Sequence, residues 1–67
     1  MSNEEKLKHM HDGDTEYFNW FEEGGLEIHS FNSDWFVYDI PQYGGLPQYV
    51  GRFESVHAVL KIISKYT

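Results

Sequence analysis

Two histidines and two aspartates stand close together at residues 9–14, in HMHDGD. Imidazole nitrogens and carboxylate oxygens are the ligands that zinc and other divalent ions accept. A structural site needs four of them on a rigid frame. His9 and His11 diverge on a helix and meet on one side only if the segment is extended. No rigid partner shell is legible around His9, His11, Asp12 and Asp14. The segment therefore reads as a solvated run leading into a cap, and neither a metal nor a cofactor is assigned.

Acid–base and nucleophilic chemistry find no better footing. His29 and His57 are single histidines without a neighbouring nucleophile motif, and a catalytic base needs a positioned partner within hydrogen-bond reach. Ser30, Ser33, Ser55 and Ser64 lie in no nucleophile elbow. Glu22-Glu23 pairs two carboxylates, but a ligand pocket of several hundred Å³ is not expected in so small a domain. YGGLPQY, 43–49, lacks phosphate-loop spacing and the Lys that would follow it. It reads as a connection that displays Tyr43, Leu46 and Tyr49. The expected protein is not an enzyme.

What remains is a conjunction of rings and carboxylates. YFNWF, 17–21, is flanked by Glu16 and by Glu22-Glu23. A base-stacking platform comes with a basic groove that follows the nucleic-acid backbone. Here the flanks are acidic. The chain carries eleven Asp and Glu against five Lys and Arg, for a net charge of −6. Nucleic-acid affinity draws heavily on Lys and Arg that neutralise phosphates, so direct nucleic-acid binding is not expected. Anionic membranes repel the same surface, and no apolar run approaches the roughly 20 residues that span a bilayer. The polar N-terminus, MSNEEKLKHM, is not a signal peptide. With no Cys, the chain is expected to be cytoplasmic.

The elements that must position these groups follow from periodicity. Residues 1–13 read as a tail, either frayed or forming one or two helical turns around Leu7 and Met10. Residues 14–67 read as one domain. Tyr17, Phe18, Trp20 and Phe21 fall at i, i+1, i+3 and i+4, one face of a helix over about 15–23. Asp14 or Thr15 would cap it and Gly24-Gly25 would stop it. Glu22 and Glu23 would then sit against the negative end of its dipole. LEIHSF, 26–31, alternates as a strand with Leu26 and Ile28 on one side. NSD, 32–34, is turn chemistry. WFVYDI, 35–40, reads as the central strand, with Trp35, Val37 and Asp39 opposite Phe36, Tyr38 and Ile40. PQYGGLP, 41–47, is a loop. QYVGRF, 48–53, is a third strand that Gly51 weakens or bulges. Ser55 caps a last helix whose stripe is Val56, Val59, Leu60, Ile63 and Tyr66.

The expected fold class is α+β: a short N-terminal helix, a three-stranded antiparallel sheet and a C-terminal helix packed on one face. Three strands followed by a helix that opens with FES resembles the layout of phage-integrase arm-binding domains. That layout implies DNA contact through basic and aromatic residues on the exposed sheet face. The corresponding positions here carry Glu27, Asp34 or Asp39, with Arg52 almost alone, so the DNA-contacting residues are missing.

Twelve rings exceed what one small core hides, and exposed Tyr and Trp favour interfaces. The expected function is a small, acidic, non-catalytic protein-binding module. Its sharper form is an inhibitor that occupies the basic nucleic-acid-binding surface of a host defence or transcription protein, in the manner of phage or mobile-element products. Glu16, Glu22, Glu23, Glu27, Asp34, Asp39, Tyr43 and Tyr49 are the expected partner-binding residues. A structural homo-oligomer that buries surplus rings, most simply a homodimer, is the alternative, and a metal-binding protein a distant third.

Overall fold

The computed structural model describes residues 2–66. Met1 and Thr67, the outer ends of the expected tail and domain, lie outside the described residues. The element order is α1 (Asn3–Lys8), β1 (Thr15–Phe21), β2 (Gly24–Phe31), β3 (Asp34–Ile40), β4 (Gln48–Phe53) and α2 (Val56–Lys65). The strands form one antiparallel meander in the order β1-β2-β3-β4. The fold is α+β with a short helix at the start and a longer one at the end, but the sheet has four strands where three were expected.

The extra strand comes from the segment expected to be a helix. Residues 15–21 pair with β2, with Phe18 opposite Leu26 and Glu16 opposite Ile28. A helix over 15–23 would have sent Tyr17, Phe18, Trp20 and Phe21 into the core together. As a strand the segment sends only Phe18, 2% exposed, and fits a core of seven buried hydrophobic side chains. Aromatic residues also suit a pleated surface, and β1 covers a β2 edge that would otherwise be unpaired.

Gly24 and Gly25 open β2 and do not stop a helix. A Cβ on Gly24 would lie 2.6 Å from the Gln42 backbone nitrogen, and one on Gly25 2.8 Å from the Asn19 carbonyl oxygen. Their role is close approach of neighbouring backbone.

α1 is six residues long and would not persist alone. A capping box holds its start: the Glu5 N–H donates to Ser2 Oγ (3.2 Å) and the Ser2 N–H to Glu5 Oε1 (3.3 Å). Lys8 Nζ lies 2.8 Å from Glu4 Oε2, one turn away. This hydrogen bond holds the Glu4 carboxyl below its ordinary range and the Lys8 ammonium above it. Tertiary contact does more. Leu7 is fully buried in the core. Lys6 Nζ lies over the Phe18 ring, 4.3 Å from its centroid, and donates to the Tyr17 carbonyl at 3.0 Å.

At the other end Ser55 caps α2, its Oγ accepting from the Ala58 N–H at 3.2 Å. Val59 and Ile63 are its buried residues. A bulge between Phe18 and Phe21 turns the Asn19 side chain toward this helix. Its Nδ2 donates to the Ile63 carbonyl at 2.8 Å, a second donor beside the Tyr66 N–H that closes the last turn of the helix at 3.3 Å.

Leu7, Phe18, Leu26, Ile28, Val37, Val59 and Ile63 form the core, with Trp35, Phe53, Val56 and Leu60 packed around it. The register puts Phe18, Leu26, Ile28 and Val37 on one face of the sheet. Both helices therefore cover that face, and among the described residues no helix lies on the other.

Candidate functional site

HMHDGD forms the link from α1 to β1. The His11 N–H donates to Asp14 Oδ2 (2.8 Å), and the Asn32 N–H donates to Asp12 Oδ1 (2.9 Å). Gly13 and Ser30 exchange main-chain bonds with this turn, Gly13 N–H to the Ser30 carbonyl and Ser30 N–H to the Asp14 carbonyl. Asp14 thus closes a turn and caps no helix, and Asp12 ties that turn to the β2–β3 connection. Among the described residues no three His, Asp or Glu side chains converge to hold a metal.

His29 lies on the helix-free face of β2, opposite Thr15. Its Nε2 is 3.0 Å from Glu27 Oε2 and its Nδ1 2.9 Å from Thr15 Oγ1. A carboxylate only accepts, so Nε2 carries a proton. In the neutral ring Nδ1 then accepts from the Thr15 hydroxyl. The three groups satisfy one another on a flat strand face. They hold the imidazole edge-on to the Tyr38 ring, with centroids 5.5 Å apart and planes at 89°. Tyr38 in turn meets Tyr49 at 5.4 Å.

The expected partner-binding residues divide into groups. Glu16 is on the core-side face of the edge strand, 3.8 Å from Lys6 Nζ. Asp39 is on the same side of β3, opposite Leu26. Glu27 is on the helix-free face and bonded to His29. Asp34 is at the far end of that face, 3.6 Å from Arg52. Tyr49 is on the helix-free face opposite Tyr38. Glu22, Glu23 and Tyr43 converge at one end of the sheet, where β1 turns into β2 and β3 leaves for β4.

That end is the candidate site. The β1–β2 connection is two residues long, with Phe21 paired to Gly24. The longer β3–β4 loop lies against it: Gln42 Nε2 donates to the Phe21 carbonyl at 3.2 Å, and the Gly24 backbone touches Gln42. The two latched connections leave Phe21 (66% exposed), Tyr43 (79%) and Leu46 (85%) open at this end of the sheet, with Glu22 and Glu23 in the two-residue turn. Large apolar side chains this open, beside two carboxylates, have the make-up of a binding tip. Phe21 and Leu46 were not among the expected binding residues. The helical reading hid Phe21 in a core stripe, and Leu46, read as displayed by its loop, was left out of the binding set that took Tyr43 and Tyr49.

The tip is also strained. Glu22 has φ 54°, Glu23 φ 63° and Tyr43 φ 62°, in the left-handed region that non-glycine residues adopt at a cost of about 1–2 kcal/mol. The β2–β3 turn has the same backbone at Asn32 and Ser33, φ 53° and 67°, but opens with Asn, which that region favours. Strain of this kind collects at functional sites. Glu22→Asn with Glu23→Gly should therefore stabilise the fold by about 1 kcal/mol, raising the melting temperature by about 4–8 °C in a domain of this size. Differential scanning calorimetry checks this, and an unchanged or lower midpoint would mean that the turn is not strained.

Among the described residues no helix is long and apolar enough to cross a membrane. No protein-family model matches the chain, and comparison with curated proteins and with solved structures finds no match.

Proposed function

We propose that this chain is a non-catalytic protein-binding module that docks its tip onto a basic surface of another protein. One observation carries the reading. Two connections are latched at one end of the sheet, where Phe21, Tyr43 and Leu46 stand open and Glu22 and Glu23 occupy backbone less favourable for Glu than for Asn or Gly. The apolar side chains supply contact area and the carboxylates supply steering toward basic partners. The chain's net charge of −6 acts in the same direction over longer range. In the sharper form of the proposal, the partner's basic surface is a groove that otherwise takes nucleic acid. The chain then acts as an inhibitor of the kind that phage and mobile elements direct against host defence or transcription, with paired carboxylates in the place of phosphates.

The test begins with affinity capture from host lysate, comparing the native chain with Glu22→Lys/Glu23→Lys. The partner should be lost from the variant. For the purified pair, raising salt from 50 to 300 mM should weaken binding at least ten-fold, and Phe21→Ala should weaken it by about ten-fold. A nucleic-acid ligand of the partner should compete. Binding that ignores salt and survives the double charge reversal would overturn the proposal. Salt-sensitive binding without competition would leave a basic partner but remove the nucleic-acid groove.

A further inference from the structure

The helix-free face of the sheet is a second surface, separate from the tip. The register places Tyr17, Phe31, Phe36, Tyr38 and Tyr49 on it, and Trp20 joins them by its edge contact with Tyr17 at 4.8 Å. Six of the chain's twelve aromatic residues thus lie on the face that neither helix covers. Tyr17, Trp20, Phe31 and Tyr49 are each about half exposed or more. Antiparallel sheets do leave one face to water, but that face is ordinarily polar.

We infer that a second copy of this chain covers this face, giving a two-fold dimer in which two sheets pack face to face. Charge selects the occupant. Two chains of −6 repel each other, so they should meet where that charge is thinnest. Among the strand residues of this face, Glu27 and Asp34 stand against Arg52, one net negative charge out of −6. The remaining acidic excess lies at the tip (Glu22, Glu23), in the link after α1 (Asp12, Asp14) and on the core side of the sheet (Glu16, Asp39). The face is also self-complementary. A two-fold axis parallel to the strands, midway between β2 and β3, lays β1 of one copy across β4 of the other and β2 across β3. Tyr17 of each copy then meets the Tyr49 side of its mate, both at the level of Tyr38, as an isologous interface requires.

Area agrees with a modest dimer. Four strands of six to eight residues present a face roughly 20 Å long and 15–20 Å wide, since strands rise about 3.3 Å per residue and lie about 4.8 Å apart. Two such faces amount to roughly 600–800 Å² in total, the size of a weak, transient interface, which matches a dimer that forms only at high micromolar concentration. The tip projects from the strand ends and stays open in such a dimer.

Sedimentation velocity on the full chain at 5–300 µM tests the inference. The native chain should shift from monomer to dimer within that range, and added salt should favour the dimer by screening like charges. Tyr17→Lys with Tyr49→Lys alters two exposed side chains and should raise the dimer dissociation constant at least ten-fold, with the far-ultraviolet circular dichroism and melting cooperativity of a folded chain. Phe21→Ala with Leu46→Ala, at the tip, should leave the dimer unchanged. A native chain that stays monomeric at 300 µM overturns the inference. So does a dimer that persists in the folded Tyr17→Lys/Tyr49→Lys variant, or one that the tip variant abolishes. Should Tyr17→Lys/Tyr49→Lys unfold the chain, Arg52→Glu alone should raise the dissociation constant, and an unchanged constant rejects the arrangement. The tip proposal is read by a different partner and the opposite salt response, so either can fail alone.

Discussion

Phe18→Ala should lower stability by about 3–5 kcal/mol, the usual loss when a buried Phe is truncated. Small domains hold about 5–15 kcal/mol in all, so much of the variant population should be unfolded at 37 °C. Phe18 is the one ring of YFNWF that lies wholly in the core, paired across the sheet with Leu26 and capped by the Lys6 ammonium. Phe21→Ala, three residues further on, should change stability by no more than about 0.5 kcal/mol, as surface substitutions do. Urea denaturation of the two variants checks the pair. A helix would have set Phe18 and Phe21 on one stripe and predicted similar losses, so equal destabilisation would reject the strand.

Leu7→Ala should cost about 2–5 kcal/mol, as large an effect as a central core position despite its place in a six-residue helix near the chain start. Leu7 is fully buried in the cluster that includes Val59 and Ile63 of α2, while α1 has little helical stability of its own. The loss should therefore be global: one cooperative transition with a lower urea midpoint and an unchanged m-value. If α1 were only an appendage, the variant would lose a few residues of helix signal and keep its midpoint. The neighbouring Lys8→Ala removes a solvent-exposed i,i+4 pair with Glu4 and serves as the surface control.

The parts of the fold legible in the sequence are those in which local preference and global placement agree. The β3 alternation of Trp35, Val37 and Asp39 against Phe36, Tyr38 and Ile40 is the observed register. Leu26 and Ile28 point inward, and α2 starts at its Ser55 cap and buries Val59 and Ile63. YFNWFEEGG misled because a bulged strand ending in a two-residue turn can carry rings at i, i+1, i+3 and i+4. The bulge at Asn19 shifts the alternation, so helical spacing arises without a helix. Nothing local distinguishes two glycines that end a helix from two that admit a neighbouring backbone. Gly24 and Gly25 do the second, and the atoms they admit, from Gln42 and Asn19, become visible only in three dimensions.

The candidate site shows the same division. Glu22, Glu23 and Tyr43 were identifiable as exposed chemistry from type and neighbours alone. Their discomfort was legible too, although its cause is a left-handed turn and not the end of a helix dipole. Glu16 and Asp34, read as part of the same set, are parted from the tip by the register, while Asp39 lies at the tip end of β3 on the core-side face; their like charge says nothing of distance or side.

By itself, then, the sequence determined the charge, the excess of rings over core, the inward stripe of β2, β3 and α2, and the turn chemistry, because each depends on residue type and short-range spacing. Only the tertiary structure decided that β1 is a strand, that Leu7 completes the core, which half of the rings remains outside, and that the loops at 22–23 and 41–47 meet. Those outcomes depend on which backbones lie side by side. Strand pairing joins residues far apart in the chain, and one core of seven side chains has room for Phe18 but not for its neighbours.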